Sequence, residues 1–283
     1  MTDLLVTGAY GQLGRSLLHA ARARGLEAVG HDLDTLDITD AAAVEALVAG
    51  LRPRALVNCA AYTAVDDCEV NEELATAVNA TAVEHLARAC RDCAGHFVHL
   101  STDYVFAGDG TRPYLESDPV RPLSAYGRSK LDGEEQARVA PRHLIVRTAW
   151  LYGRAGNNFV EAIRRQIDSG ASSLRVVADQ TGCPTFSDDL ADAILDLVAC
   201  GATGAVHAVN SGVTTWHGFA CEIARLLGAE VEIEPVTSAD FPRPAPRPRY
   251  SVLDTSRLVS LIGRPLPQWQ DALARYLGLP CAS

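Results

Sequence analysis

Leu4-Leu5-Val6-Thr7-Gly8-Ala9-Tyr10-Gly11-Gln12-Leu13-Gly14, running into an apolar helical pattern from Arg15 to Arg24, decides the fold. A short apolar run reads as a buried parallel strand, and the spacing after it reads as a helix. Between them lie three glycines. Gly8 permits the tight turn, Gly11 lets a ligand approach the backbone, and Gly14 lets helix and strand pack closely. The helix N-terminus then faces a pyrophosphate with free N–H groups. Strand, glycine turn and helix together predict a dinucleotide site.

The next segments extend that reading. Leu26–Gly30 predicts a second strand ending at His31-Asp32, and Asp32 lies 18 residues past Gly14. An acid there is suited to the adenosine ribose and disfavours a 2′-phosphate. The loop is acidic throughout, so Asp37-Ile38 is a second candidate border for the adenine, with Asp40 as the next N-cap. Arg54–Asn58 predicts a third strand. The small residues of Cys59-Ala60-Ala61-Tyr62-Thr63 would let the backbone lie along the cofactor. Asp67–Cys93 is expected to be a long helical region, with Asn79 either bracing a neighbouring strand or at the surface. Gly95–Leu100 and His143–Thr148 predict strands four and five. The fold class is therefore α/β, a doubly wound Rossmann-type parallel sheet with a smaller C-terminal substrate-binding lobe. Residues 1–150 are expected to form the dinucleotide domain, with segments near 181–205 returning to it. Residues 151–283 form mainly the substrate lobe.

Chemistry is carried by Ser101-Thr102-Asp103 and Tyr126-Gly-Arg-Ser-Lys130. Ser124 is a candidate cap for the helix bearing Tyr126, and a tyrosine and lysine four apart share one face of it. A free phenol has a pKa of about 10, which a neighbouring cation lowers. Thr102, at the carboxyl end of a strand, would hold a carbonyl oxygen beside the phenol. That trio suits proton transfer to a carbonyl while a hydride moves on the other side. Glu134 and Glu135, further along the helix, are expected in solvent. Trp150, at the end of strand five, is a candidate to lie against a sugar or nicotinamide ring. Arg243, Arg247 and Arg249, in a proline-rich arm from Phe241 to Tyr250, would meet a diphosphate or hold the arm to the surface.

Composition narrows the partners. The chain of 283 residues is 48% hydrophobic, enough for a sizeable core, and its net charge of −10 argues against a nucleic-acid surface. No apolar run reaches membrane-spanning length and no basic leader precedes the first strand, so a cytoplasmic protein is expected. Eight cysteines are scattered, and Cys90-Arg-Asp-Cys93 has no second pair at zinc spacing. They read as reduced core residues, and no metal site is expected.

The motifs resemble the extended short-chain dehydrogenases/reductases and, within them, the dTDP-4-dehydrorhamnose reductase family. The similarity runs collinearly through Gly8–Gly14, Asn58–Asp66, Asn79–Thr81, Ser101–Phe106, Tyr126–Glu134, Arg147–Tyr152, Asn157–Phe159, Asp179–Thr185 and Arg247–Asp254. The resemblance implies reduction of the C4 ketone of dTDP-6-deoxy-L-lyxo-4-hexulose to dTDP-L-rhamnose with NADPH or NADH. Tyr126 would donate the proton to the C4 oxygen, and Lys130 would lower its pKa and bind the nicotinamide ribose. Thr102 would hydrogen-bond the ketone, and Tyr126 and Lys130 would both border the cofactor. It implies that Gly11, Gln12, Leu13, Asp32, Asp37, Ala61, Tyr62 and Thr63 line the dinucleotide. Thr102, Asp103, Tyr104, Trp150 and Asn158 would stand near the hexulose. Some members dimerise around Mg²⁺ held by glutamates, where this chain has Ser16 and Asp188; a monomer or a homodimer without a metal is expected. The alternatives are a reductase of another dTDP-4-keto-6-deoxy sugar in antibiotic biosynthesis, such as the dTDP-dihydrostreptose branch, or a non-catalytic regulatory subunit.

Overall fold

In the computed structural model, which describes residues 2–279, the first half of the chain alternates strand and helix. It runs β1 (Leu4–Thr7), α1 (Gln12–Ala23), β2 (Ala28–His31), α2 (Ala41–Leu51), β3 (Ala55–Asn58), α3 (Glu72–Thr76), α4 (Ala82–Asp92), β4 (His96–Thr102), α5 (Ala125–Ala137) and β5 (His143–Thr148). The chain then leaves the sheet through β6 (Leu151–Tyr152), α6 (Phe159–Asp168), β7 (Ser173–Val177), β8 (Thr181–Gly182) and β9 (Thr185–Phe186). It returns with α7 (Ser187–Ala199) and β10 (Gly204–His207). It leaves again with β11 (Thr214–Thr215), α8 (Trp216–Leu227) and β12 (Glu232–Val236), and closes with α9 (Ser256–Ile262) and α10 (Trp269–Tyr276).

The six-stranded sheet has the order β10-β5-β4-β3-β1-β2, and every pairing is parallel. From β1 the chain winds first to β2 and then crosses back to β3 on the other side. That reversal opens a crevice at the carboxyl ends of β1 and β3, where ligands of such sheets bind. Successive strand residues face opposite sides, so one strand feeds two cores. Leu4, Val6, Val57, Val98 and Val146 pack with Leu13 and Leu17 of α1, Leu190 and Ile194 of α7 and Leu258 of α9. Leu5, Leu56, Phe97 and Ile145 pack with Val44 and Val48 of α2, Leu86 of α4 and Ala137 of α5. A third core, with Tyr152, Phe186, Phe219, Trp269 and Leu273 among its members, belongs to the later segments.

The expected helical region from Asp67 is present: a 3₁₀ turn (Asp67–Glu69) leads into a helix unbroken from Glu72 to Asp92, in which α3 passes through a π turn (Ala77–Thr81) into α4. The wide turn lets Asn79 face inward, where it is fully buried. Contrary to expectation, Glu134 is not in solvent. It is fully buried on α5 and paired with Arg147 of β5. Among the described residues no helix is long and apolar enough to cross a membrane. The cysteines from Cys59 to Cys221, with Cys90 and Cys93 among them, are free, and Cys281 lies outside the described residues.

Candidate active site

The glycine turn is held open by contacts that no side chain would allow. Gly8 has φ +66°, and a Cβ on it would lie 2.6 Å from Ala60 N. A Cβ on Gly14 would lie 2.2 Å from Gly8 O. Gly11 caps α1 without any side-chain hydrogen bond, and the first turn carries no acid. Its N–H groups therefore face the crevice free to meet an anion. This cradle fits a pyrophosphate.

Asp32 accepts the Tyr10 N–H at 2.7 Å and the Leu33 N–H at 2.9 Å, tying the end of β2 to the turn. Asp37 accepts from Thr39 N and Oγ1, which hold its carboxyl below the usual carboxylate range. On the far side, the Tyr62 N–H donates to Asn79 Oδ1 at 2.8 Å. The Asn79 amide donates back to Tyr62 O and to Ser129 Oγ of α5, each at 3.0 Å. One buried amide thus fixes the Ala61-Tyr62-Thr63 backbone against the helix that carries Tyr126 and Lys130.

Thr102 is the last residue of β4, two residues beyond the expected strand end, because the ladder to β5 continues through Ser101↔Arg147 and Thr102↔Thr148. Its hydroxyl donates to Asp103 Oδ1 at 3.0 Å and accepts the Tyr104 N–H at 3.2 Å. Ser124 caps α5 through the Gly127 N–H at 3.1 Å. Tyr126 follows in the first turn, its ring edge-on to Tyr104 with centroids 5.6 Å apart. Burial pushes the Tyr126 phenol above its ordinary value, Asp103 adds to that, and a hydrogen bond to Thr102 opposes it. Lys130 Nζ turns toward the sheet, donating to Leu100 O at 2.6 Å, and burial lowers it to about 8. Burial rather than Lys130 therefore governs the phenol, which stays protonated at neutral pH.

Trp150 adopts φ +47°, a strained conformation for a bulky residue. Its indole stacks on Trp216 of α8 at 3.6 Å between centroids, and a Cβ on Gly182 would strike it at 2.5 Å. One cavity of about 900 Å³ joins the glycine turn to the Thr102–Tyr126–Lys130 side. It takes in Gly8, Gly11, Gln12, Leu13, Asp32, Asp37, Ile38 and Ala61–Thr63 at one end and Thr102–Tyr104, Tyr126, Lys130, Trp150 and Trp216 at the other.

Comparison with known proteins decides the family. Residues 1–279 match the family described as RmlD substrate binding domain. The chain belongs to the dTDP-4-dehydrorhamnose reductase family. The dTDP-4-dehydrorhamnose reductase of Streptomyces griseus is 46% identical over 98% of this chain and 93% of its own length. A probable dTDP-4,6-dihydroxy-2-methyloxan-3-one 4-ketoreductase of Streptomyces antibioticus is 48% identical over 95% of this chain and 92% of its own. The crystal structure of dTDP-4-dehydrorhamnose reductase from Bacillus anthracis in complex with NADP superposes with TM-score 0.94 at 35% identity, covering 98% of this chain and 99% of that one.

Within this family member, some expected contacts fall elsewhere. Asn158 does not line the cavity. It caps α6, and its amide donates to Gln12 Oε1 and Gly153 O, each at 3.0 Å, while its neighbour Asn157 faces the cavity. Arg247 does not present a free fork to a diphosphate, because it pairs with both carboxylate oxygens of Asp66, at 2.9 and 3.0 Å. Trp216 was not legible as a site residue, since nothing near it in sequence points to Trp150. A weak signal was available in the exposed-looking Thr214-Thr-Trp216 turn ahead of an amphipathic helix.

Asp103 supplies a pH test. Burial pushes its carboxyl up to about 6, with Ser251 and Thr102 opposing. Folding therefore favours the protonated form, and that contribution is lost as pH rises through about 6. Thermal unfolding of Asp103→Asn should gain a few degrees on the native chain near pH ~8 and little near pH ~5.

Proposed function

We propose that this chain reduces the C4 ketone of a dTDP-4-keto-6-deoxy-L-sugar with NADPH or NADH, acting on dTDP-6-deoxy-L-lyxo-4-hexulose to give dTDP-L-rhamnose. The observation that carries the reading is the single cavity shared by the glycine turn and by Thr102, Tyr126, Lys130 and Trp150. The dinucleotide, when bound, supplies the hydride. Gly8, Gly11, Gln12 and Leu13 would hold its pyrophosphate, with Asp32, Asp37 and Ile38 at the adenosine end and Ala61, Tyr62 and Thr63 along its length. Residues 1–150, with α7 and β10, form the dinucleotide side, and the remainder of 151–283 is mainly the substrate side.

The Thr102 hydroxyl holds the ketone oxygen. The Tyr126 phenol delivers its proton to that oxygen as C4 receives the hydride, so the ketone becomes a secondary alcohol with no charge left on the sugar. Lys130, as the ammonium, stabilises the phenolate left behind until solvent reprotonates it. Trp150 offers a flat face to the hexulose beside Asp103 and Tyr104, and Asn158 acts through Gln12. The enzyme would work in the cytoplasm as a monomer or homodimer.

The Streptomyces antibioticus relative, named for a different 4-keto sugar, favours a second substrate of the same class. The test is loss of reduced-nicotinamide absorbance with purified protein and dTDP-6-deoxy-L-lyxo-4-hexulose, NADH and NADPH side by side. Rapid oxidation with dTDP-L-rhamnose as product supports the reading. No oxidation with this sugar, but turnover of another dTDP-4-keto-6-deoxy sugar, assigns the second substrate. Failure of the whole panel removes the reductase reading.

A further inference from the structure

Three buried polar residues stand side by side on one face of the sheet. Thr7, Asn58 and His99 are in-register partners on β1, β3 and β4, and all three are buried. The residues two positions back, Leu5, Leu56 and Phe97, belong to the hydrophobic core on that side. Parallel sheets buried on both faces are normally apolar there, so this row calls for a reason.

Its hydrogen bonds run in one direction. The Ala60 N–H and the Thr7 hydroxyl both meet Asn58 Oδ1, at 3.2 and 2.7 Å. A backbone N–H only donates, so that atom is the amide oxygen and the NH₂ faces His99 Nδ1 at 3.3 Å. An NH₂ only donates as well, so Nδ1 accepts and the ring proton of neutral His99 sits on Nε2. Nε2 lies 3.4 Å from Lys130 Nζ. Gly133 of α5 leaves the space, since a Cβ there would lie 3.2 Å from His99 Nε2.

We propose that Thr7, Asn58 and His99 form a positioning chain that presses an imidazole N–H against the back of Lys130 and biases it toward the neutral amine. A neutral amine accepts that N–H while donating to Leu100 O; an ammonium sets two donors against each other. The other groups facing Lys130 are Glu134 and Tyr126 on α5 and Cys59 at the end of β3. Of these, Glu134 and Cys59 pull toward the ammonium, and burial opposes them. His99 itself is held neutral by burial and by Lys130. The chain makes the lysine change charge close to working pH, so the charge that stabilises the Tyr126 phenolate is set from behind the site. The kinetic consequence rests on the proposed reductase reading; the tautomer does not.

The first test is nitrogen NMR of histidine-labelled protein, with the His99 signal assigned by its loss in His99→Gln. The expected result is a neutral ring protonated on Nε2. A ring protonated on Nδ1, or an imidazolium near neutrality, overturns the proposal whatever the enzyme reduces. The second test is the alkaline limb of kcat/KM for the active 4-keto sugar. His99→Gln offers a carbonyl in place of the N–H and should move that limb up by about one pH unit. Asn58→Asp should do the same, because a carboxylate accepts a hydrogen bond from Nδ1–H, which draws the ring proton to Nδ1 and turns Nε2 into an acceptor. A purely structural role predicts lower stability with the limb unmoved, and that result overturns the proposal. If no 4-keto sugar is turned over, the reductase reading has failed, and the pH dependence of NADPH affinity by fluorescence is measured on the same variants. An unmoved profile there also overturns the proposal.

Discussion

Tyr126→Phe should lower kcat/KM by roughly 10²- to 10⁴-fold while leaving dinucleotide affinity within about twofold. The argument is one of what the substitution removes. Tyr126 sits in the first turn of α5, its ring edge-on to Tyr104, and phenylalanine keeps that contact. Lys130 makes its direct hydrogen bond to Leu100 O, so its place does not depend on the phenol. What is lost is one proton, held on a group that burial keeps protonated at neutral pH. A donor of that kind acts only as charge develops on the ketone oxygen, so its loss falls on turnover rather than on binding. Steady-state kinetics, with a fluorescence titration of NADPH on the same samples, measures both halves. Turnover close to that of the native chain would remove Tyr126 from the proton-donor role, whatever happens to affinity.

The parts of this site that were legible in the sequence are those whose signal is local. Gly8 to Gly14 can be read because strand, turn and helix are contiguous and each glycine answers a specific steric demand. Ser124 can be read as a cap because its partner, the Gly127 N–H, is three residues away. Tyr126 and Lys130 share a helix face by spacing alone, and Thr102 follows from its position at a strand end. The parts that were not legible depend on partners far along the chain. Trp216 meets Trp150 only because α8 folds back over the carboxyl edge of the sheet. Asn79 looked surface-exposed or bracing in the same breath, and only the π turn decides that it faces Tyr62. Arg247 could be read as meeting a diphosphate or as holding the arm to the surface; the arm's path brings it to Asp66. Lys130 was read as the cation that lowers Tyr126, yet its hydrogen bond to Leu100 O and the nearby His99 belong to β4, which the helix pattern does not reveal. Polar residues at matching positions of Leu-Leu-Val-Thr7, Ala-Leu-Val-Asn58 and Phe-Val-His99 were visible as letters, but their meaning required the register.

Glu134→Gln should destabilise the chain by about 3–5 kcal/mol, lowering the thermal midpoint by roughly 5–10 °C. A glutamate on a helix is by default in solvent, and its burial needs a specific reason. Here the reason is a fork-to-fork pair. Arg147 Nε meets Oε1 at 2.8 Å and Nη2 meets Oε2 at 2.7 Å, while Ser101 Oγ donates to Oε1 at 2.5 Å. Neither side chain retains solvent worth the name, at 4% exposure for Arg147 and 0% for Glu134. The guanidinium also lies over the Phe106 ring at 5.2 Å, so it has no route to water when its partner is neutralised. Glutamine keeps the volume and one acceptor, but it leaves a buried cation uncompensated and turns an NH₂ toward donors. The double variant Glu134→Leu with Arg147→Met removes both charges and should recover most of the loss, because desolvation of the pair nearly cancels its attraction. Urea unfolding of Glu134→Leu, Arg147→Met and the double variant gives the coupling directly, and additive losses would show that the pair is not the cause. Glu134→Gln also reports on the site. Glu134 lies one turn beyond Lys130 and pulls it toward the ammonium. Its loss should therefore move the alkaline limb of activity down, opposite to the direction expected for His99→Gln. Two buried neighbours that shift one lysine in opposite senses separate an electrostatic effect from general loosening of α5, since loosening would move both variants the same way.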